Sequence, residues 1–115
     1  MSSTVLIVDD NDEMRRVIRS MVADLVEDIW ECRDGAEALA TYRRQRPDWV
    51  FLDIRLPRVD GITAAREIHA LHPAARIVIV TAYDDREFRT AAHNAGAIDY
   101  VLKDDLLRLR TILSP

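Results

Sequence analysis

Five short apolar runs alternate with five stretches of helical periodicity. This alternation predicts an α/β fold, a doubly wound five-stranded parallel sheet of flavodoxin-like (βα)5 type in the order 2-1-3-4-5. The runs are continuous rather than alternating in polarity, as expected of strands covered by helices on both faces. Right-handed crossovers then leave few ways to wind the chain.

The elements follow in order. "TVLIV" (Thr4 to Val8) is the first strand. Met14, Val17, Ile18, Met21, Val22 and Leu25 form the i, i+3, i+4, i+7 stripe of an amphipathic helix, for which Asn11 or Asp12 is the cap. "DIWECR" reads as the second strand and ends at Asp34-Gly35. Ala36, Leu39 and Ala40 open a second helix that stops before Pro47. "WVFLDI" is the third strand. After "RLPRVDG", Ile62 to Leu71 is helical with Ile62, Ala65 and Ile68 inward, and Pro73 ends it. "RIVIVTA" is the fourth strand. Asp85 to Ala95 is the fourth helix, closed by Gly96. "IDYVL" is the fifth strand, and Asp104 to Leu113 the last helix, with Leu106, Leu109 and Leu113 inward.

A chain of 115 residues, 49% apolar and 31% charged, is expected to form one domain over residues 1–115. A single cysteine, Cys32, excludes an internal disulfide and suits a reducing cytoplasm. No apolar run approaches the ~18 residues of a membrane span, and the acidic "DDND" near the start is unlike a signal peptide. A net charge of −4 argues against direct nucleic acid binding. The ending "TILSP" fits either a stand-alone domain or a piece of a longer protein.

In a doubly wound sheet the site lies beyond the carboxyl ends of the strands, where the strand order reverses. Strand 1 ends in Asp9 and Asp10, strand 3 in Asp53, strand 4 in Thr81 and strand 5 in Lys103. Each has an ordinary reading alone, as a helix start, a turn or a loop cap. Gathered in one cleft, three carboxylates repel one another and need positive charge among them. Lys103 supplies one charge. It is also the chain's only lysine among 16 basic residues, placed where a compact ammonium suits the site better than arginine's planar fork. A divalent cation supplies the remainder, and an all-oxygen donor set favours Mg²⁺ or Mn²⁺ over zinc. A metal, an ammonium, a hydroxyl and a facing carboxylate are equipment for phosphoryl transfer to an aspartate.

"VLIVDDN", "VFLDIRLPRVDGI", "IVIVTA" and "GAIDYVLK" resemble the receiver domain of bacterial two-component response regulators, in register from Val5 to about Leu113. The resemblance implies that Asp53 is the phosphoacceptor, taking its phosphoryl group from a histidine kinase or phosphotransfer protein. It implies that Asp10 is a direct Mg²⁺ ligand, that Asp9 acts through water, and that the backbone carbonyl of Arg55 completes the set. Thr81 resembles the hydroxyl that moves onto the phosphoryl oxygen, Lys103 the family's ammonium, and Tyr100 the aromatic that leaves an exposed position and turns inward when Thr81 moves. The face of helix 4, strand 5 and helix 5 is then the expected signalling surface, for a partner or a homodimer. One departure stands out: Asp104 follows Lys103 where the family commonly has proline. Asp104 or Asp105 is expected to cap the last helix.

Arg55 and Tyr83 flank the site and are expected to limit the approach of water to the phosphoryl group. Trp30, Trp49 and Phe51 read as core or sheet-flank residues, and His69, His72 and His93 have no useful metal spacing. Arg15, Arg16, Arg19 and "RRQR" read as solvated helix faces, with Arg15 and Arg19 able to line a kinase-docking surface. Three other functions compete. A haloacid-dehalogenase-like aspartyl phosphatase wants an acid two residues past the nucleophile, where Arg55 stands. A nucleotide or flavin binder wants a glycine- or hydroxyl-rich loop after strand 1, where "VDDNDE" stands. A non-phosphorylated receiver-like binding module would not need the acidic set, Thr81 and Lys103.

Overall fold

The computed structural model describes residues 3–114. Its elements are β1 (Thr4–Val8), α1 (Asp12–Val22), β2 (Asp28–Cys32), α2 (Gly35–Gln45), β3 (Trp49–Leu52), α3 (Gly61–Leu71), β4 (Ile77–Thr81), α4 (Arg86–Asn94), β5 (Asp99–Leu102) and α5 (Leu107–Leu113). A short 3₁₀ turn, Ala23–Leu25, follows α1. The five strands are parallel in the order β2-β1-β3-β4-β5.

The sheet is covered on both faces, as the continuous apolar runs require. Val5, Ile7, Phe51, Val78 and Val101 point to one face and pack with Ile18 and Val22 of α1 and Leu106 and Leu109 at α5. Leu6, Val8, Leu52 and Ile79 point to the other and pack with Ala38 and Tyr42 of α2, Ala65 and Ile68 of α3 and Ala92 of α4. Adjacent strand residues therefore serve opposite cores, the period of two that pleating imposes.

Side chains at the helix starts fix the loops nearest the strand ends. Asn11, Asp34, Asp60 and Asp85 each accept a bond from the backbone N–H three residues on. Gly96 follows α4 with φ +106°, and its N–H and that of Ala97 bond to the carbonyls of His93 and Ala92, closing the helix as a glycine-dependent cap.

The last helix departs from expectation. It begins at Leu107, not Asp104, and neither Asp104 nor Asp105 caps it; Leu106 occupies that position without a side-chain bond. Asp105 N–H instead bonds to Leu102 C=O, forming a turn that brings Leu106 into the core. The α1 face also differs. Val17 is 40% exposed, while Arg15, expected in solvent, is buried at 9%.

Candidate functional site

The sheet itself assembles the site. The parallel ladder runs one residue beyond the strands: Asp9 N–H donates to Cys32 C=O (3.1 Å), Asp53 N–H to Val8 C=O (3.0 Å) and Lys103 N–H to Thr81 C=O (2.8 Å). Each bond places a polar residue beside its neighbour at the same end. Asp9 and Asp53 thus emerge side by side at the reversal between β1 and β3.

Oxygens of Asp9, Asp10 and Asp53 lie within 4.8 Å of one another. Asp9 and Asp53 are buried at 1% and 6% exposure, whereas Asp10 is exposed. Lys103 Nζ donates to Asp53 Oδ2 at 2.9 Å and lies 2.8 Å from Asp9 Oδ2. The ammonium thus bridges the two buried carboxylates. The remaining oxygens are held locally: Asp9 Oδ1 accepts from Asn11 N–H (2.9 Å) and Asp53 Oδ1 from Ile54 N–H (2.8 Å).

Burial dominates the electrostatics of Asp53 and raises its pKa; the Lys103 hydrogen bond and charge oppose this, and the Asp9 charge adds to it. Burial works to lower the Lys103 pKa, but pairing with Asp9 and Asp53 outweighs it and holds the ammonium above its ordinary value. One ammonium among three carboxylates leaves a net negative cleft. Three converging carboxylates with one ammonium among them, an all-oxygen donor set, fit a hard divalent cation.

Thr81 is fully buried, and its Oγ1 accepts a long bond from Tyr83 N–H (3.4 Å). The structure therefore brings Asp9, Asp10, Asp53, Thr81 and Lys103 to one end of the sheet, as the sequence led us to expect.

The response regulator receiver domain family profile matches residues 5–114. The chain belongs to this family. It is 38% identical over 104 residues to the chemotaxis protein CheY of Bacillus subtilis (strain 168), covering 90% of this chain and 87% of CheY. It is 36% identical over 115 residues to the probable transcriptional regulatory protein TcrX of Mycobacterium tuberculosis, covering 96% of this chain but 49% of TcrX. Among solved structures it is similar to a LuxR-family two-component response regulator from Aurantimonas sp. SI85-9A1, with TM-score 0.87, 32% identity and coverage of 98% and 86% of the two chains. The protein is thus a receiver domain of the two-component phosphoacceptor signalling class, and the haloacid-dehalogenase alternative is not favoured. Receiver domains bind Mg²⁺ through an acidic pocket and interact with histidine kinases or phosphotransfer proteins. Among the described residues, no helix is long and apolar enough to cross a membrane.

Around this receiver site the structure adds detail and two corrections. Arg55 and Tyr83, both exposed, pack on one another: the guanidinium lies 4.9 Å from the ring centroid. A cleft of about 560 Å³ adjoins Asp10, walled by Ile54, Arg55, Leu56 and Phe88. Tyr100 is not in an exposed position. The residue is 8% exposed, its hydroxyl donates to Tyr83 C=O at 2.5 Å, and the Arg89 guanidinium lies 4.5 Å from its ring centroid. The carbonyl and the cation together give the amphipathic ring both of its partners inside.

The second correction is Arg15. It donates from Nε to Glu31 Oε1 (2.9 Å) and from one terminal nitrogen to Asp9 C=O (2.7 Å), and pairs with Asp12 through the other. Apolar periodicity passes over such a residue because charge pairing, not hydrophobicity, takes it inside. The signal available was an arginine on the first turns of α1 with glutamate at the end of the adjoining β2. The three histidines stand apart from the acidic cluster; His72 lies against Tyr42 and Arg46, toward the other end of the sheet.

Proposed function

We propose that this receiver domain takes a phosphoryl group onto the Asp53 carboxylate from the phosphohistidine of a histidine kinase or phosphotransfer protein. The observation that carries the reading is Asp53 itself: a carboxylate at the end of β3, buried at 6%, bonded to Lys103 and facing Asp9 and Asp10. An Asp53 oxygen attacks phosphorus, the O–P bond forms, and the N–P bond breaks with its electron pair leaving on the imidazole. Lys103 shifts from the carboxylate oxygens toward the phosphoryl oxygens, where its point charge offsets developing negative charge. Asp10, Asp53 and the Arg55 carbonyl, with Asp9 acting through water, would hold Mg²⁺ (or Mn²⁺), which when bound supplies Lewis-acid neutralisation of the phosphoryl oxygens.

Thr81 offers its hydroxyl to the phosphoryl group and so leaves Tyr83 N–H. On the other side of its Cα, the Tyr83 C=O accepts from the Tyr100 hydroxyl. One residue, Tyr83, thus links Thr81, through its N–H, to Tyr100, through its C=O, and so to the face formed by α4, β5 and α5. That face would carry the signal to a partner or a second copy of the domain. Arg55 and Tyr83, two residues past Asp53 and Thr81 and packed on one another, would restrict water at the phosphoryl group, so that self-catalysed dephosphorylation is slow and the domain acts as a phosphoacceptor rather than an enzyme.

Mixing the domain with Mg²⁺ and a small acyl phosphate separates the classes. A persistent one-phosphoryl adduct is the expected outcome. Steady phosphate release without an adduct would favour a phosphatase, and no reaction would favour a receiver-like binding module.

A further inference from the structure

We infer that Arg15 is a positioning residue for the acid pair: its buried guanidinium fixes the Asp9–Asp10 peptide so that Asp10 converges on Asp9 and Asp53. The inference rests on the metal-binding reading above and names a residue through which that site is held in shape.

A charged side chain at 11% exposure is costly unless its N–H groups are satisfied. Arg15 meets this with partners from three segments: Glu31 on β2, Asp12 on α1 and the main-chain carbonyl of Asp9. Joining α1 to β2 does not by itself require Arg15. Arg19, with its side chain 44% exposed, also pairs with Glu31, at 2.7 Å. What sets Arg15 apart is the 2.7 Å bond to Asp9 C=O.

That carbonyl belongs to the peptide unit whose nitrogen is Asp10's. The peptide entering Asp9 is held by its N–H on Cys32 C=O, and the peptide leaving Asp10 by Asn11 N–H on Asp9 Oδ1. With Arg15 in place, the plane entering Asp10 is fixed too. Asp10 is exposed, so the main chain rather than packing sets the direction of its Cα–Cβ bond and hence the region its carboxylate can reach. Removing Arg15 orphans a buried carbonyl and frees that peptide to rotate.

Charge and positioning predict opposite signs. A guanidinium beside a cation site repels the cation, so deleting it would tighten Mg²⁺ binding if charge alone mattered. A lost positioning bond weakens binding instead, by about 10-fold or more for groups that orient a metal ligand.

The test is Mg²⁺ titration of the full chain, followed by amide NMR shifts, for wild type, Arg15→Gln, Arg15→Lys and the charge control Arg16→Gln, whose side chain is exposed. Arg15→Gln is expected to bind about 10-fold more weakly. Arg15→Lys is expected to weaken as well, since an ammonium's three N–H groups diverge from one nitrogen and cannot span the partners that three separate guanidinium nitrogens reach. Arg16→Gln should be unchanged or slightly tighter. Arg15→Gln combined with Asp10→Asn should bind no more weakly than Asp10→Asn alone, because Arg15 acts through Asp10. Should Arg15→Gln fail to fold, Arg15→Lys alone decides. Affinities of the folded Arg15 variants equal to or tighter than wild type would overturn the inference and leave the metal reading intact. No Mg²⁺ binding by wild type would overturn both.

Discussion

Asp53 holds two opposed demands: it must be ionised to act as a nucleophile, yet it is buried. Burial wins over Lys103 and raises its pKa above the ordinary 3.8. The folded state therefore keeps the Asp53 proton to higher pH than the unfolded chain does. The stability this gives is fully present below the unfolded pKa and is lost as pH rises through the folded one. Asp53→Asn cannot ionise and escapes that loss. Its unfolding free energy relative to wild type should therefore climb as pH rises above about 4, the ordinary carboxylate value; parallel urea titrations check this, and a difference independent of pH would contradict the electrostatic account. At this scale Asp9, Asp10, Asp53, Thr81 and Lys103 were legible because each stands just past an apolar run, where chain topology alone gathers polar residues. Arg15 and the inward Tyr100 were not. Their positions depend on hydrogen bonds to main-chain carbonyls, of Asp9 and Tyr83, which no side-chain pattern reports.

The element that most constrains the site is the start of α3. Gly61 N–H bonds to Ile54 C=O at 2.8 Å, and a Cβ built on Gly61 would stand 1.7 Å from Asp53 C=O. A backbone clash of that size forces the helix and the β3 end apart. Gly61→Ala should cost about 1–3 kcal/mol and slow labelling of Asp53; thermal unfolding and a labelling time course measure the two together, and an unaffected time course would show that α3 does not set the Asp53 main chain. Element identity was readable throughout, since strand runs and helical stripes differ in period. Boundaries failed where polar residues offered two solutions. Asp104 and Asp105 have the chemistry of a cap, but the turn closed by Asp105 N–H on Leu102 C=O and the burial of Leu106 moved the start of α5 to Leu107.

For the whole molecule, the question is how a local event at the sheet end reaches the α4–β5–α5 face. The face is cross-braced by Arg108 on Asp99 (2.9 Å), Arg108 on Tyr100 C=O (3.1 Å) and Arg89 on Asp84 (3.0 Å). A change at Tyr83 thus meets a connected set of charges rather than loose side chains. Lys103→Arg keeps the charge but not the compact ammonium. With beryllofluoride as phosphoryl mimic, wild-type amide shifts should spread from Thr81 across α4 to α5, while those of Lys103→Arg should be smaller beyond the site. Identical spreads would remove the special role of Lys103.

All of this depends on Asp53 being the residue that carries the phosphoryl group. Intact-mass spectrometry of wild type and Asp53→Ala, each treated with Mg²⁺ and a small acyl phosphate, tests that most directly. The account predicts a single phosphoryl adduct on wild type and none on Asp53→Ala; an adduct of equal yield on both would contradict it.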